Sequence, residues 1–70
     1  MKIERGDLLD VTTASGAIVR MRAMNVPVQG RDFPVVWVCT EQEWDRATAS
    51  DEEPDGIPWP LDAVRALAST

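Results

Sequence analysis

Residues 51–67 read DEEPDGIPWPLDAVRAL, and this closing stretch decides the expected fold of the 70-residue chain. An acidic loop leads to Gly56 and an Ile-Pro step, and a proline stands on each side of Trp59. Proline fixes its own backbone and extends the residue before it, so Trp59 is expected in an extended segment. A tryptophan placed in this way either fills a small core or presents a contact surface.

The last apolar segment has two interpretations. Leu61, Val64 and Leu67 are spaced like one face of a helix, and the alanine-rich sequence around them favours a helix. Alternatively, residues 61–63 form one 3₁₀ turn and residues 64–67 form a last strand. We favour the turn followed by the strand.

The rest of the chain predicts three strands and one short helix. The first strand is expected over residues 7–12 and the second over 17–26, where apolar and arginine residues alternate as in a half-buried strand. Residues 33–40 are β-branched or apolar on both faces, which predicts the central strand. The sequence TEQE at residues 40–43 fits a capping box, which predicts a helix over residues 41–49.

The capping box specifies two hydrogen bonds at the start of this helix. The Thr40 hydroxyl accepts from the backbone N–H of Glu43, and the Glu43 carboxylate accepts from the backbone N–H of Thr40. Trp44 is expected to face inward from the helix and Trp37 from the central strand, so both are assigned to the core. We expect Trp59 to be the partly exposed tryptophan.

Two short matches resemble the small barrels of the SH3 type. The Gly-Ile-Pro step at residues 56–58, followed by Val64 and Leu67, is similar to their closing signature, in which a 3₁₀ turn leads to a final strand carrying a valine. The sequence GDLLDV at residues 6–11 is similar to their first strand. The strand pattern and the resemblance together predict a mostly β chain with one short α-helix. It would be a single small domain over residues 1–70, forming a small antiparallel SH3-like barrel or strongly bent sheet, with the helix inserted after the third strand.

A second resemblance concerns two blocks, VWVCTEQEWDRA at residues 36–47 and GIPWPLDAVRAL at residues 56–67. These blocks resemble short uncharacterised proteins of high-GC actinobacteria and their phages, and that resemblance implies no function. The chain has no tyrosine, so the aromatic shelf with which SH3 domains bind peptides is not implied.

The composition restricts the classes of function. The formal net charge is −5 and the isoelectric point is near 4.4, which argues against a nucleic-acid binder and favours a basic or neutral protein partner. The single cysteine and the absence of histidine exclude an intrachain disulfide and the usual zinc sites, and no cofactor is expected. The sequence shows no signal-peptide core and no apolar run of the roughly 20 residues that span a membrane, so a cytoplasmic protein is expected.

Catalytic chemistry has little support in the sequence. Cys39 is the only thiol, lies in the most apolar predicted strand and has no histidine to activate it, so we assign it to the core. The spacing of the carboxylates in residues 51–55 faintly resembles a calcium loop. However, Pro54 interrupts that loop, and Asp62 stands where a bidentate glutamate is needed. We therefore predict a protein that is not an enzyme and binds no metal.

The remaining hypotheses concern binding surfaces. Tryptophan is enriched at binding hot spots, so an exposed tryptophan beside an acidic loop would make a mixed apolar and anionic surface. The predicted partner-binding residues are Trp59, Asp51, Glu52, Glu53 and Asp55. Such a surface suits a protein-interaction or accessory module with a basic or neutral partner, or an acidic phage-type inhibitor of a host protein. Two alternatives are a homo-oligomer formed through an edge strand and a nucleic-acid-binding barrel that uses Arg20, Arg22 and Arg31.

Overall fold

The computed structural model describes residues 3–67, whose strands form one antiparallel sheet that curls into a half-barrel. In chain order the elements are β1 (Leu8–Thr12), β2 (Ile18–Ala23), β3 (Val28–Gln29), β4 (Pro34–Thr40), α1 (Glu41–Ala49), β5 (Ile57–Pro60), a 3₁₀ turn (Leu61–Ala63) and β6 (Val64–Ala66). The predicted fold class is confirmed, because the chain is mostly β, antiparallel and strongly bent, with one short helix after the third predicted strand.

The strand β4 is the centre of the sheet, as its apolar sequence predicts. At Val38 its two neighbours are β2 and β5, and at Val35 they are β3 and β5. β2 and β3 therefore follow each other along one edge of β4, and the order across the sheet is β5-β4-β2-β1-β6. The predicted second strand, residues 17–26, is too long, because β2 ends at Ala23. Residues 24–27, which include Pro27, a residue that cannot donate to a strand ladder, separate β2 from the short strand β3, which was not predicted.

Seven apolar residues form a buried cluster on the concave face of the sheet. They are Ile3, Leu9, Val11, Ala23, Val36, Val38 and Val64. Alternate residues of β1 and β4 enter the cluster, as the two-residue period of a strand requires. The cluster joins β1, β2, β4 and β6, so it fixes the curl of the sheet.

The helix α1 begins at the predicted cap. Thr40 is the N-cap, and its hydroxyl accepts from the N–H of Glu43 at 3.0 Å, as predicted. The predicted return bond is wrong, because the Glu43 carboxylate accepts from the Arg46 guanidinium and from the backbone N–H of Asp55. Thr40 is also the last residue of β4 and pairs with Met21 of β2, so its backbone belongs to the sheet.

The helix ends in a Schellman motif. The N–H of Asp51 donates to the Thr48 carbonyl, and the N–H of Glu52 donates to the Ala47 carbonyl. Asp51 has a φ of 54°, the left-handed conformation that this motif requires and that aspartate tolerates better than most residues. Asp51 therefore has a structural role in ending the helix and starting the acidic loop.

The closing segment adopts the predicted turn and strand. Leu61–Ala63 forms the 3₁₀ turn, and Val64–Ala66 pairs with β1 as β6. Val64 is buried in the core. A helix over these residues would have removed the pairing with β1 and left that strand without a neighbour on one side.

The helix covers part of the convex face of the sheet. α1 packs against β2 and β4, and Cys39 and Ala47 are buried on this side, outside the core cluster. Trp44 is half-buried, and the Arg5 guanidinium lies 5.2 Å from the centroid of its ring. The prediction of an inward-facing Trp44 is therefore correct only in part, because the ring is not fully buried and the exposed Arg5 lies over it.

The assignment of Trp37 to the core is wrong. Val36 and Val38 take the inward positions of β4, so Trp37 lies between them on the convex face. α1 covers Cys39 on that face but not Trp37, which is 39% exposed.

Candidate functional site

Trp59 lies in β5 with its side chain on the concave side of the sheet. Its indole N–H donates to the Thr12 carbonyl oxygen at 3.0 Å, which connects β5 with the end of β1. The ring packs against the buried cluster and is half-buried. Trp59 is therefore partly exposed, as expected, but its hydrogen bond and most of its packing are internal.

A pocket of about 390 Å³ opens beside Trp59. Its lining residues are Thr12, Thr13, Ala14, Trp59, Pro60 and Ala63. None of these side chains titrates near neutral pH, so the pocket offers an apolar surface without a general acid or base.

The acidic loop, residues 51–55, is held in place by two arginines. The Arg46 guanidinium of α1 donates to the Glu52 carboxylate at 2.8 Å, and the Arg5 guanidinium donates to the Glu53 carboxylate at 2.9 Å. The loop is therefore fixed to the helix on one side and to the N-terminal segment on the other.

The predicted partner-binding residues do not form one surface. Trp59 directs its ring to the concave side, whereas the acidic loop precedes the other end of β5. Glu52 and Glu53 are paired with arginines, whereas the carboxylates of Asp51 and Asp55 make no ion pair within residues 3–67. Within the predicted set, these two aspartates are thus the acidic residues left to meet a partner.

Among the described carboxyl groups, Glu43 has the pKa that departs most from its ordinary value. Its hydrogen bond with Arg46 and the backbone N–H of Asp55 lower the pKa of the Glu43 carboxyl from 4.5 to about 2. Both partners favour the charged carboxylate, so the ionised form is the one that ties α1 to the acidic loop.

We expect this carboxylate to make the fold sensitive to acid. Because the pKa is lower in the folded chain than in the unfolded one, the stabilisation is complete above the unfolded value of 4.5 and is lost as the pH falls towards about 2. Thermal unfolding of wild type followed from about pH 5 to about pH 2 should show this loss, and Glu43→Gln should reduce its pH dependence. Glu41→Gln is the matched control, since Glu41 lies in the same helical turn without an ion pair in the described chain. Parallel acid profiles for wild type and Glu43→Gln would contradict the assignment.

A second surface, which we call the Trp37 face, lies on the convex side of the sheet where α1 does not cover it. It consists of two rows of residues that run across the strands. The rows are Met24, Trp37 and Pro58, and Val28, Val35 and Pro60. Every side chain in the two rows is apolar, apart from the indole N–H of Trp37. Val26 and Phe33, which adjoin these rows in the chain, are also exposed.

The acidic loop borders the Trp37 face. Gly56 follows the loop and lies against the Met24 sulfur and the Val38 carbonyl oxygen, so closely that a Cβ atom at this position would overlap both. The Arg5 guanidinium that holds Glu53 also donates to the Met24 carbonyl oxygen at 2.7 Å. Met24 therefore connects the apolar rows to the anionic loop, and the tryptophan that shares a surface with the loop is Trp37 rather than Trp59.

The sequence carried a partial signal for the Trp37 face. Val35, Trp37 and Cys39 occupy alternate positions of β4, so they had to share the face opposite Val36 and Val38. The sequence did not show how far α1 would cover that face, and coverage decides which of the three side chains is exposed.

Of the three arginines in the alternative nucleic-acid face, Arg20 and Arg22 share one face of β2, and Arg31 lies in another part of the structure. Arg20 lies beside Asp10 with a separation of 3.8 Å between Nε and Oδ1. Arg22 is half-buried and donates to the Gly6 carbonyl oxygen at 2.7 Å. Arg31 lies in the separate turn between β3 and β4. The three arginines therefore have different surroundings, and two of them have partners within the chain.

The Cys39 thiol is free and buried. Burial, with a further contribution from Glu43, raises the pKa of the Cys39 thiol, which keeps it protonated near neutral pH. Within residues 3–67 no three histidine, cysteine, aspartate or glutamate side chains are placed to hold a metal ion. Of the carboxylates in the faint calcium-like pattern, Glu53 is paired with Arg5, and Asp51 and Asp55 are exposed.

Comparison with known proteins gives no relative from which a function could be transferred. No protein-family model matches the chain, and no curated protein or solved structure was found to match it. No helix within residues 3–67 is long and apolar enough to cross a membrane.

Proposed function

We propose that this protein is a non-catalytic protein-interaction module that binds its partner through the Trp37 face. The observation that carries the proposal is the exposure of Trp37 among the apolar side chains of the Trp37 face. A small domain has few large apolar side chains for its core, so leaving a tryptophan on the surface gives up stabilisation of the fold. A tryptophan exposed at that cost favours a binding role for the surface.

The distribution of the exposed apolar residues supports this position. Within the described chain, the large apolar side chains with high exposure are Ile18, Val19, Val26, Val28, Phe33, Trp37 and Ile57. Val26, Val28, Phe33 and Trp37 belong to or adjoin the Trp37 face, and Ile18 and Val19 lie on β2. Ile57 pairs with Val38 and therefore lies on the opposite, concave side of the sheet. Clustered apolar exposure of this kind is typical of protein contact surfaces, whereas single exposed apolar residues are common everywhere.

Substitution of Trp37 tests the proposal directly. The tagged wild-type protein should retain a specific protein from a lysate of the native host, and Trp37→Ala and Trp37→Lys should lose that same protein. The lysine variant keeps a long aliphatic side chain over the sheet, so it guards against a loss of folding in the alanine variant. Truncation of a tryptophan hot spot typically costs about 2 kcal/mol or more of binding energy, a loss of roughly 30-fold in affinity.

The matched control is Ile18→Ala. Ile18 is 69% exposed but lies outside the Trp37 face, so this variant should retain the partner. Circular dichroism and the thermal unfolding midpoint establish that each variant is folded. Retention of the partner by both folded Trp37 variants would rule out the Trp37 face as the binding site.

A further inference from the structure

The charge of the chain is concentrated beside the Trp37 face. Residues 41–55, which form α1 and the acidic loop, contain seven of the twelve acidic residues and one of the seven basic residues. Their net charge is −6, and the remaining residues together carry +1, which accounts for the total of −5. One end of the apolar surface therefore has a strong negative border, while the rest of the chain is almost neutral.

The nearby Arg5 and Arg46 fix the acidic loop in position but do not neutralise its negative charge. Arg5 is engaged with Glu53, Met24 and the Trp44 ring, and Arg46 is engaged with both Glu43 and Glu52. The carboxylates in this region without an ion pair inside residues 3–67 are Glu41, Asp45, Asp51 and Asp55. Because the loop is fixed by its arginines, Asp51 and Asp55 are held in position before a partner arrives.

We propose that the partner segment bound by the Trp37 face is cationic, with lysine or arginine side chains placed beside apolar ones. This inference rests on the proposed function and specifies the chemistry of its partner. The apolar side chains would pack on the Met24–Trp37–Pro58 row, and the cationic groups would meet Asp51 and Asp55. The exposed indole of Trp37 adds a second favourable site for a cation, over the face of its ring.

Charge complementarity is the physical reason for choosing this occupant. An anionic partner would be repelled by the negative charge of the acidic loop. A cationic segment is attracted to the same charge before contact. A second copy of this chain would place two regions of charge −6 near each other, which disfavours a symmetric dimer through this face.

The proposal can be tested with three synthetic peptides of equal length. The first alternates lysine and leucine, the second alternates glutamate and leucine, and the third alternates lysine and serine. Binding is measured by fluorescence anisotropy of labelled peptides at low and at physiological ionic strength. The lysine–leucine peptide should bind at least about tenfold more tightly than either of the others, and its affinity should fall as salt is added.

Variants of the protein then locate the contact. Asp51→Asn combined with Asp55→Asn should weaken binding of the lysine–leucine peptide by about three- to tenfold, since exposed ion pairs contribute only modestly to affinity. Asparagine tolerates the left-handed backbone at residue 51, so the Schellman motif is kept. Asp62→Asn, which removes a carboxylate from the 3₁₀ turn away from the loop, is the control and should bind like wild type.

The outcomes separate this inference from the proposed function. Equal binding of the lysine–leucine and glutamate–leucine peptides, or an unchanged affinity in the double aspartate variant, would overturn the cationic partner. If the host protein is nevertheless lost in the Trp37 variants, the interaction function stands and only the partner chemistry is wrong. If the Trp37 variants keep both the host protein and the lysine–leucine peptide, both proposals fail.

Discussion

Gly56→Ala is expected to destabilise the protein by about 3 kcal/mol or more, the upper part of the range for overpacking substitutions. An added Cβ would overlap the Val38 carbonyl oxygen and the Met24 sulfur. Met24 can change its side-chain conformation, but the Val38 carbonyl belongs to β4, where Val38 pairs with both Ala23 and Ile57. Moving that carbonyl away would disturb the centre of the sheet. A domain of this size has a total stability of roughly 4 to 10 kcal/mol, so the loss is a large part of it.

Urea unfolding followed by tryptophan fluorescence measures this effect, and Gly16→Ala provides its control. Gly16 has a φ of +88°, but no atom outside its chain neighbours lies within 4 Å of a Cβ placed there. Its replacement should cost only the backbone penalty of about 1 kcal/mol. Equal losses in the two variants would show that the close approach at Gly56 does not constrain the fold.

Trp59→Ala is expected to cost about 3 kcal/mol, the lower end of the range for truncating an aromatic core residue, because Trp59 is only half-buried. The variant loses the packing of the ring against the buried cluster and the hydrogen bond to the Thr12 carbonyl. Trp59→Phe should recover most of the packing and lose roughly 1 kcal/mol for the missing hydrogen bond.

The stability loss of Trp59→Ala should be compared with that of Trp37→Ala. Trp37 is the more exposed tryptophan and lies outside the buried cluster, so its truncation should reduce the free energy of unfolding by less than that of Trp59. Thermal and urea unfolding of the two variants establish the order. A larger loss for Trp37→Ala would reverse the roles that the structure gives to the two side chains.

The fold was largely predictable because the local signals agreed with one another. The alternation in β2, the apolar run of β4 and the Thr40 cap each indicate an element that the structure contains. Whether the last segment forms a helix or a strand depends on a neighbouring strand, since residues 64–66 become a strand by pairing with β1. Such pairing is not encoded in the periodicity of a short segment.

The candidate site was predicted less well, because it depends on coverage and on long-range ion pairs. The acidic loop was identified, but its attachment to Arg5, which lies 48 positions from Glu53, has no local sequence signal. The tryptophans were assigned in the wrong order, since the prolines around Trp59 suggested exposure and the apolar neighbours of Trp37 suggested burial. In a sheet that is covered on only one part of a face, an apolar strand does not make each of its side chains a core residue.

The two prolines of β5 have a consequence for the behaviour of the protein at high concentration. The ladder to β4 needs donors from β5, and these must come from Ile57 and Trp59, since Pro58 and Pro60 have no N–H. Strand geometry then turns the two proline positions towards the unpaired side of β5, which is left without donors along its length. A strand from a neighbouring molecule would find no N–H donors on that side, so it could not form a regular β-ladder with β5. The prolines therefore protect this edge against intermolecular strand pairing, the step that leads to fibrils.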